Sequence, residues 1–263
     1  MADKCAIIIP VYKKYSKLLE HERKLIDQLL KIFCNRDVLL VLPEKLKGLF
    51  YSDNYNCTYF QDHYFKNKFR YSKLLCSSFF YDAFTEFEYI QIVQLDCWIF
   101  QDRLDEFMDM GFDYVGAPWM KNGFEGKPEP ELWKVGNGGF SLRKVSAFLS
   151  VINQIQETKK GTNPVFQNFR KGIIGSIKNK GIRNNLKHYI KNPPGEDIFW
   201  SIYVPMIFSE NEFHVADTET AAHYSFETLP QYLYEKVTNQ NLPMGCHNWM
   251  GNNPEFWKNH ITI

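Results

Sequence analysis

The sequence predicts an α/β fold, a mostly parallel central sheet flanked by helices, and three observations carry that prediction. Short runs such as "CAIIIPVY" (5–12) are apolar throughout rather than alternating, as strands buried on both faces are. Amphipathic stretches with leucine and isoleucine at helical spacing separate these runs. Strand and helix then alternate as far as Pro118, the order that builds parallel sheets. At 263 residues and 44% hydrophobic, the chain suits one α/β domain, 1–263, with a sizeable core.

The elements follow in order. The run 5–12 is the first buried strand, and Leu18, Leu19, Leu25, Ile26, Leu29 and Leu30 mark the helix after it. "DVLLVLP" (37–43) and "CTYFQD" (57–62) read as the second and third strands, and 71–84 as a mostly buried helix. "YIQIVQLDCWIF" (89–100) reads as one buried strand carrying Asp96. A short helix, 103–111, ends at Gly111, and "DYVGAP" (113–118) is another strand. "VGNGGFSLR" (135–143) leads into a helix starting near Leu142, and "GEDIFW" (195–200) opens a further helix. The stretch 158–195 holds nine Lys or Arg and no acid. It reads as a basic, helical insertion at about 158–192, either touching an anionic membrane surface or simply solvated.

Several function classes are argued against. A net charge of +1 does not mark a nucleic-acid binder. No GxGxxG follows the first strand and no GxxxxGK[ST] is present, which disfavours dinucleotide cofactors and P-loop chemistry. The six cysteines are scattered without a CxxC pair, which disfavours zinc and suits a reducing compartment. The first apolar run is short for a signal peptide, and no stretch is long enough to span a bilayer. The expectation is a cytoplasmic protein, in contact with the inner face of the membrane if 158–192 binds there.

In open α/β sheets, ligands bind outside the carboxyl ends of strands, where the strand order reverses. Tyr12, Asp96 and Trp119 are the polar or aromatic residues expected there. Burying an unpaired carboxylate is costly. Asp96 therefore either holds a cation or is capped by hydrogen bonds as its strand turns.

"QLDCWIF", "FDYVGAPW", "VGNGGFSLR", "GEDIFW" and "LPMGCH" occur in an order that resembles DUF5672, a bacterial family of glycosyltransferases of GT-A type. The resemblance spans nearly the whole chain. It implies a GT-A-like (Rossmann-like) domain that moves a sugar from a nucleotide-sugar donor, expected to be a UDP-sugar, to a saccharide or lipid-linked saccharide acceptor. It further implies an inverting, metal-assisted hexosyltransferase of surface polysaccharide or glycan synthesis. A divalent cation, Mn²⁺ or Mg²⁺, would neutralise the leaving diphosphate. The resemblance gives Asp96 and His247 to that metal, Asp197 the role of base, and Glu196 contacts with donor or acceptor hydroxyls. Pro10, Val11, Tyr12, Lys73, Gln94 and Leu95 fall on the nucleotide side. Trp119, Asn137, Gly138, Gly139 and Trp249 fall on the sugar side, where either Trp is as readily core. GT-A enzymes commonly carry Asp-x-Asp where this chain has Gln94-Leu95-Asp96, so one carboxylate stands in place of two. That loss keeps open a catalytically weak nucleotide- or sugar-binding protein. A sugar nucleotidyltransferase also uses a strand-end Asp, although "PVYKKYSK" lacks the glycines such enzymes carry after their first strand.

Overall fold

The computed structural model describes residues 4–121, 129–157 and 186–262. Its first part runs β1 (Cys5–Pro10), α1 (Glu20–Ile32), β2 (Val38–Pro43), α2 (Phe50–Asn54), β3 (Asn56–Phe60), α3 (Lys68–Leu75), α4 (Ser78–Asp82) and β4 (Tyr89–Val93). Then follow β5 (Cys97–Ile99), α5 (Leu104–Asp109), β6 (Tyr114–Val115), β7 (Ala117–Met120), β8 (Leu132–Gly136), β9 (Phe140–Lys144) and α6 (Val145–Glu157). Late in the chain come β10 (Ser225–Phe226) and β11 (Gly245–His247).

The main sheet has the order β3-β2-β1-β4-β9-β6. The first four strands are parallel, and β9 runs antiparallel to both neighbours. This is the mixed α/β architecture, mostly parallel and flanked by helices, that the apolar runs predict. The period-2 geometry of β1 divides the core. Cys5, Ile7 and Ile9 pack with Leu25, Ile26 and Leu29 of α1 and Leu104 and Phe107 of α5. Ala6 and Ile8 pack with Phe80 of α4 and Phe148, Val151 and Ile152 of α6 on the other face. Burying each of these larger side chains contributes about 1.5–3 kcal/mol.

Four expectations are corrected. The stretch 89–100 is two strands, β4 in the main sheet and β5 in a separate sheet of order β10-β11-β5. The helix expected over 71–84 is broken at Cys76 and Ser77, where Ser77 Oγ donates to Leu74 O at 2.6 Å and offers the backbone an alternative to continuing the helix. The strand expected over 113–118 is split at Gly116 between β6 and β7, and β7 pairs with β8. Leu142 lies in β9, not at a helix start, because this segment fills the gap between β4 and β6; α6 starts at Val145.

Most of the basic insertion, and with it the expected membrane contact, lies outside the described residues. Its end, Leu186–Lys191, is helical, with Leu186 and Ile190 buried in the α6 side of the core. Among the described residues, no helix is long and apolar enough to cross a membrane.

Candidate active site

The strand order reverses between β1 and β4, so the crevice lies beyond their carboxyl ends. There the chain turns over Gln94–Cys97, with Cys97 N donating to Gln94 O at 3.1 Å. Gln94 N donates to Gly139 O at 2.8 Å and pins the turn to the glycine-rich stretch. Asp96 sits in this turn. Next, β5 pairs antiparallel with β11, which sets His247 opposite Cys97 and beside Asp96. β10 lies parallel to β11 on its other side, and Glu227 follows its last residue. The small sheet thus brings three polar groups together from distant parts of the chain.

His247 Nδ1 lies 3.0 Å from Glu227 Oε1. Its Nε2 is buried, 3.3 Å from Asp96 Oδ1, without a well-aligned hydrogen-bond partner. Burial works to lower the pKa of the imidazole, but the two carboxylates outweigh it and raise the value to about 9. Burial likewise works to raise Asp96, while the adjacent imidazolium of His247, with the ammonium of Lys68, leaves it below the ordinary range. The ring packs so closely over Gly139 that a Cβ there would overlap Nε2. Asn137 takes up φ +76°, a conformation asparagine tolerates, and its Oδ1 accepts from Gly139 N at 3.0 Å. Asn137 and Gly139 therefore build the floor under His247, and Asn137 Nδ2 is buried without a partner.

Ligand atoms of Asp96, Cys97 and His247 lie within 4.8 Å of one another. Cys97 is a poor member of that set. Its thiol donates to Gly139 O at 3.3 Å, and burial raises its pKa well above the ordinary thiol range, so it stays protonated. One carboxylate oxygen and one imidazole nitrogen remain.

A second polar cluster stands beside the first. Arg143, fully buried in β9, donates from Nη2 to Glu196 Oε1 at 2.9 Å, from Nη1 to Tyr81 OH at 3.0 Å and from Nε to Ser141 Oγ at 3.0 Å. A Cβ at Gly138 would overlap Glu196 Oε1, so this glycine too serves a side chain of the protein itself. Burial raises the pKa of Glu196 against the opposing charge of Arg143. Glu196 Oε2 lies 2.9 Å from the same Nη2, so the guanidinium faces both carboxylate oxygens. Asp197 follows on the short helix Glu196–Ile198, and its Oδ1 accepts from Ile198 N at 2.8 Å. Burial raises its pKa, and the charge of Glu227 adds to the rise, which places Asp197 within electrostatic reach of the His247 cluster.

The other expected residues divide. Pro10, Val11 and Leu95 are buried, Val11 and Leu95 among the α1-side core, so Tyr12, 57% exposed, is the side chain after β1 that reaches solvent. Gln94 is half-buried. Lys73 Nζ donates to Asn192 Oδ1 at 3.3 Å and lies 4.6 Å from the Phe69 ring centre; the lysine whose charge acts on Asp96 is Lys68, at the start of the same helix. Trp119 is half-buried over Gly136, and Trp249 is half-buried edge-on to His21 and Trp98. Sequence reasoning missed Glu227, Arg143 and Lys68. Arg143 lies within the quoted "VGNGGFSLR", where it follows buried Phe140 and Leu142 at the end of a strand, a weak signal for a buried charge. Glu227 carries no comparable signal.

The chain belongs to the family described as "Protein of unknown function (DUF5672)", whose model matches residues 54–247. That is the family its motifs resemble, but the description carries no activity. No curated protein matches the chain. Among solved structures, it is similar to a glycosyltransferase involved in the glycosylation of the major capsid of PBCV-1, at 13% identity and TM-score 0.45, over 97% of each chain. It is similar to mouse xyloside xylosyltransferase 1 at 13% identity and TM-score 0.48, over 92% of this chain and 96% of that one. For the galactosyltransferase LgtC, crystallised with donor and acceptor sugar analogs, identity is 9% and TM-score 0.47, over 92% and 86%. Likeness at this level does not extend to chemistry.

Proposed function

We propose that the protein is a metal-assisted glycosyltransferase acting on a nucleotide-sugar donor, with a UDP-sugar as the expected donor and a saccharide as acceptor. The observation that carries this reading is the row Glu227, His247, Asp96 at the switch point of the sheet. Glu227 at Nδ1 orients the ring, and a cation would take the place of the Nε2 proton that the two carboxylates otherwise retain, the arrangement by which a carboxylate orients a metal-binding histidine. Asp96 and His247 would hold the cation, and the buried, unaligned Nε2 and the bare Gly139 beneath it fit that use. An oxygen and an imidazole suit Mn²⁺ better than Mg²⁺. When bound, the cation supplies neutralisation of the charge that grows on the departing diphosphate.

The remaining roles belong to side chains of the chain itself. Asp197 takes the proton of the attacking acceptor hydroxyl, and its burial-raised pKa makes it a stronger base than a free aspartate. Glu196, whose two oxygens both lie 2.9 Å from Arg143 Nη2, is held in place to meet a donor or acceptor hydroxyl. Tyr12 is placed to flank the base, and the half-buried Trp119 and Trp249 each keep part of a ring for a sugar face. The inverting outcome and a place in bacterial surface-glycan synthesis are part of this proposal and rest on the family resemblance.

Thermal shift with UDP, GDP, CMP and dTDP, each with and without Mn²⁺, tests the reading. One nucleotide should raise Tm in a Mn²⁺-dependent way, and Asp96→Ala should abolish that dependence. No shift with any nucleotide sinks the proposal. Gln94 in place of a second acid favours the binding-protein alternative, and turnover decides between them: the enzyme releases nucleotide from its sugar donor, and the binding protein does not.

A further inference from the structure

Away from Asp96, a cavity of about 600 Å³ opens between α3, the end of α6 and the helix Leu186–Lys191. Arg70, Lys73 and Lys191 line it, with His63, Cys76 and Gln156. Arg70 and Lys73 stand three apart on α3, the spacing that puts two side chains on one helix face. Lys191 comes from the opposite wall, tied in where Lys73 Nζ donates to Asn192 Oδ1. Among the described residues, no carboxylate lines the cavity and none of these three cations is in an ion pair. Three cations without an ion-pair partner thus face one cavity from two walls, a concentration of positive charge that favours an anion there.

The cavity adjoins the Asp197 side of the candidate active site. Trp200 Nε1, one turn beyond Asp197, donates to Leu75 O at the end of α3, 3.2 Å away. Lys191 precedes Asp197 by six positions in the sequence, a span of at most about 20 Å of extended chain. Cys76 lines the cavity and feels the charges of both Glu196 and Asp197. We infer that this cavity receives a phosphoryl group of the acceptor, gripped by the fork of Arg70 and the ammonium groups of Lys73 and Lys191. The inference rests on Asp197 acting as base, which makes this the acceptor side. The same phosphoryl chemistry comes from a soluble glycosyl phosphate or from a lipid-linked one.

The test measures binding to the full chain without nucleotide or Mn²⁺, so it stands or falls apart from the donor reading. Glucose 1-phosphate is titrated calorimetrically, and vesicles containing a polyprenyl phosphate are sedimented with the protein. Wild type should bind one of these probes, and Arg70→Gln/Lys73→Met should weaken that binding at least tenfold. Asp96→Ala should bind the same probe as wild type does. Loss confined to glucose 1-phosphate supports a soluble acceptor, and loss confined to vesicles supports a lipid-linked one. Binding of neither probe by wild type overturns the inference, as does equal binding by the double variant. UDP–Mn²⁺ binding that falls along with probe binding in the double variant also overturns it, because the cations would then belong to the donor site.

Discussion

Two clusters of paired charges lie side by side, and they differ in what is left over. In the Arg143 cluster, Nη1, Nη2 and Nε each reach an acceptor inside the protein, and both Arg143 and Glu196 are buried. In the His247 cluster, one ring nitrogen is satisfied by Glu227 and the other is not aligned with anything, while the side chain of Asp96 is 43% exposed. Removing charges from water costs several kcal/mol per ion, and a cluster recovers that only when its geometry is complete. The first cluster is closed and locks β9 to the helix Glu196–Ile198. The second is open on one side and has capacity for a ligand. Burial and a salt bridge are common to both, so neither property alone marks a site; the unaligned ring nitrogen and the exposed carboxylate do.

The largest effect should come from breaking the closed cluster. Arg143→Met leaves Glu196 buried without its cation and should cost about 3–5 kcal/mol in urea denaturation. Adding Glu196→Gln should recover part of the loss, as expected for groups sharing one network. A loss under about 1 kcal/mol for Arg143→Met would remove the contrast between the clusters. A smaller effect, of a different kind, is expected in the open cluster. Glu227→Gln keeps the shape of the side chain but removes the charge that orients His247. Mn²⁺ affinity measured by titration should drop about 10- to 100-fold, with little change in stability. Unchanged affinity would mean that Glu227 does not set the tautomer of His247.

The parallel strands were legible because β1 and β2 are apolar runs and β3 and β4 are rich in β-branched and aromatic residues. Asp96 was legible as an anomaly, a carboxylate in such a run. What the run concealed was its own break: Gln94–Cys97 turns, and Cys97–Ile99 leaves for another sheet. Apolar periodicity cannot show which sheet a strand joins, and β9, antiparallel in the middle of the main sheet, was hidden for the same reason. Glu227 was illegible because its role depends on a parallel pairing of β10 with β11 across a long loop. The family resemblance puts Gly138 and Gly139 on the sugar side, and in the structure the space they leave is taken by Glu196 and His247. Sequence shows that space is needed, but not what fills it.

The smallest expected effect separates two adjacent acids. Burial raises the pKa of Asp197 above its ordinary 3.8, and no arginine is bonded to it as Arg143 is to Glu196. The sign follows from linkage: the fold favours protonated Asp197, so this contribution to stability is whole below 3.8 and is lost as pH rises through the folded value. At neutral pH the ionised carboxylate is therefore a net cost, one that its proposed role as base would explain. Asp197→Asn keeps an oxygen for the Ile198 amide and removes the charge, so it should gain about 0.5–1 kcal/mol at pH 7. That gain should shrink as pH is lowered toward 4. Transfer should meanwhile fall about 10²- to 10⁴-fold, the usual contribution of a positioned base. Glu196→Gln should go the other way and destabilise, since it strands Arg143. If Asp197→Asn were destabilising at pH 7, Asp197 would join Glu196 as part of the lock, and the open cluster would be left without a base beside it.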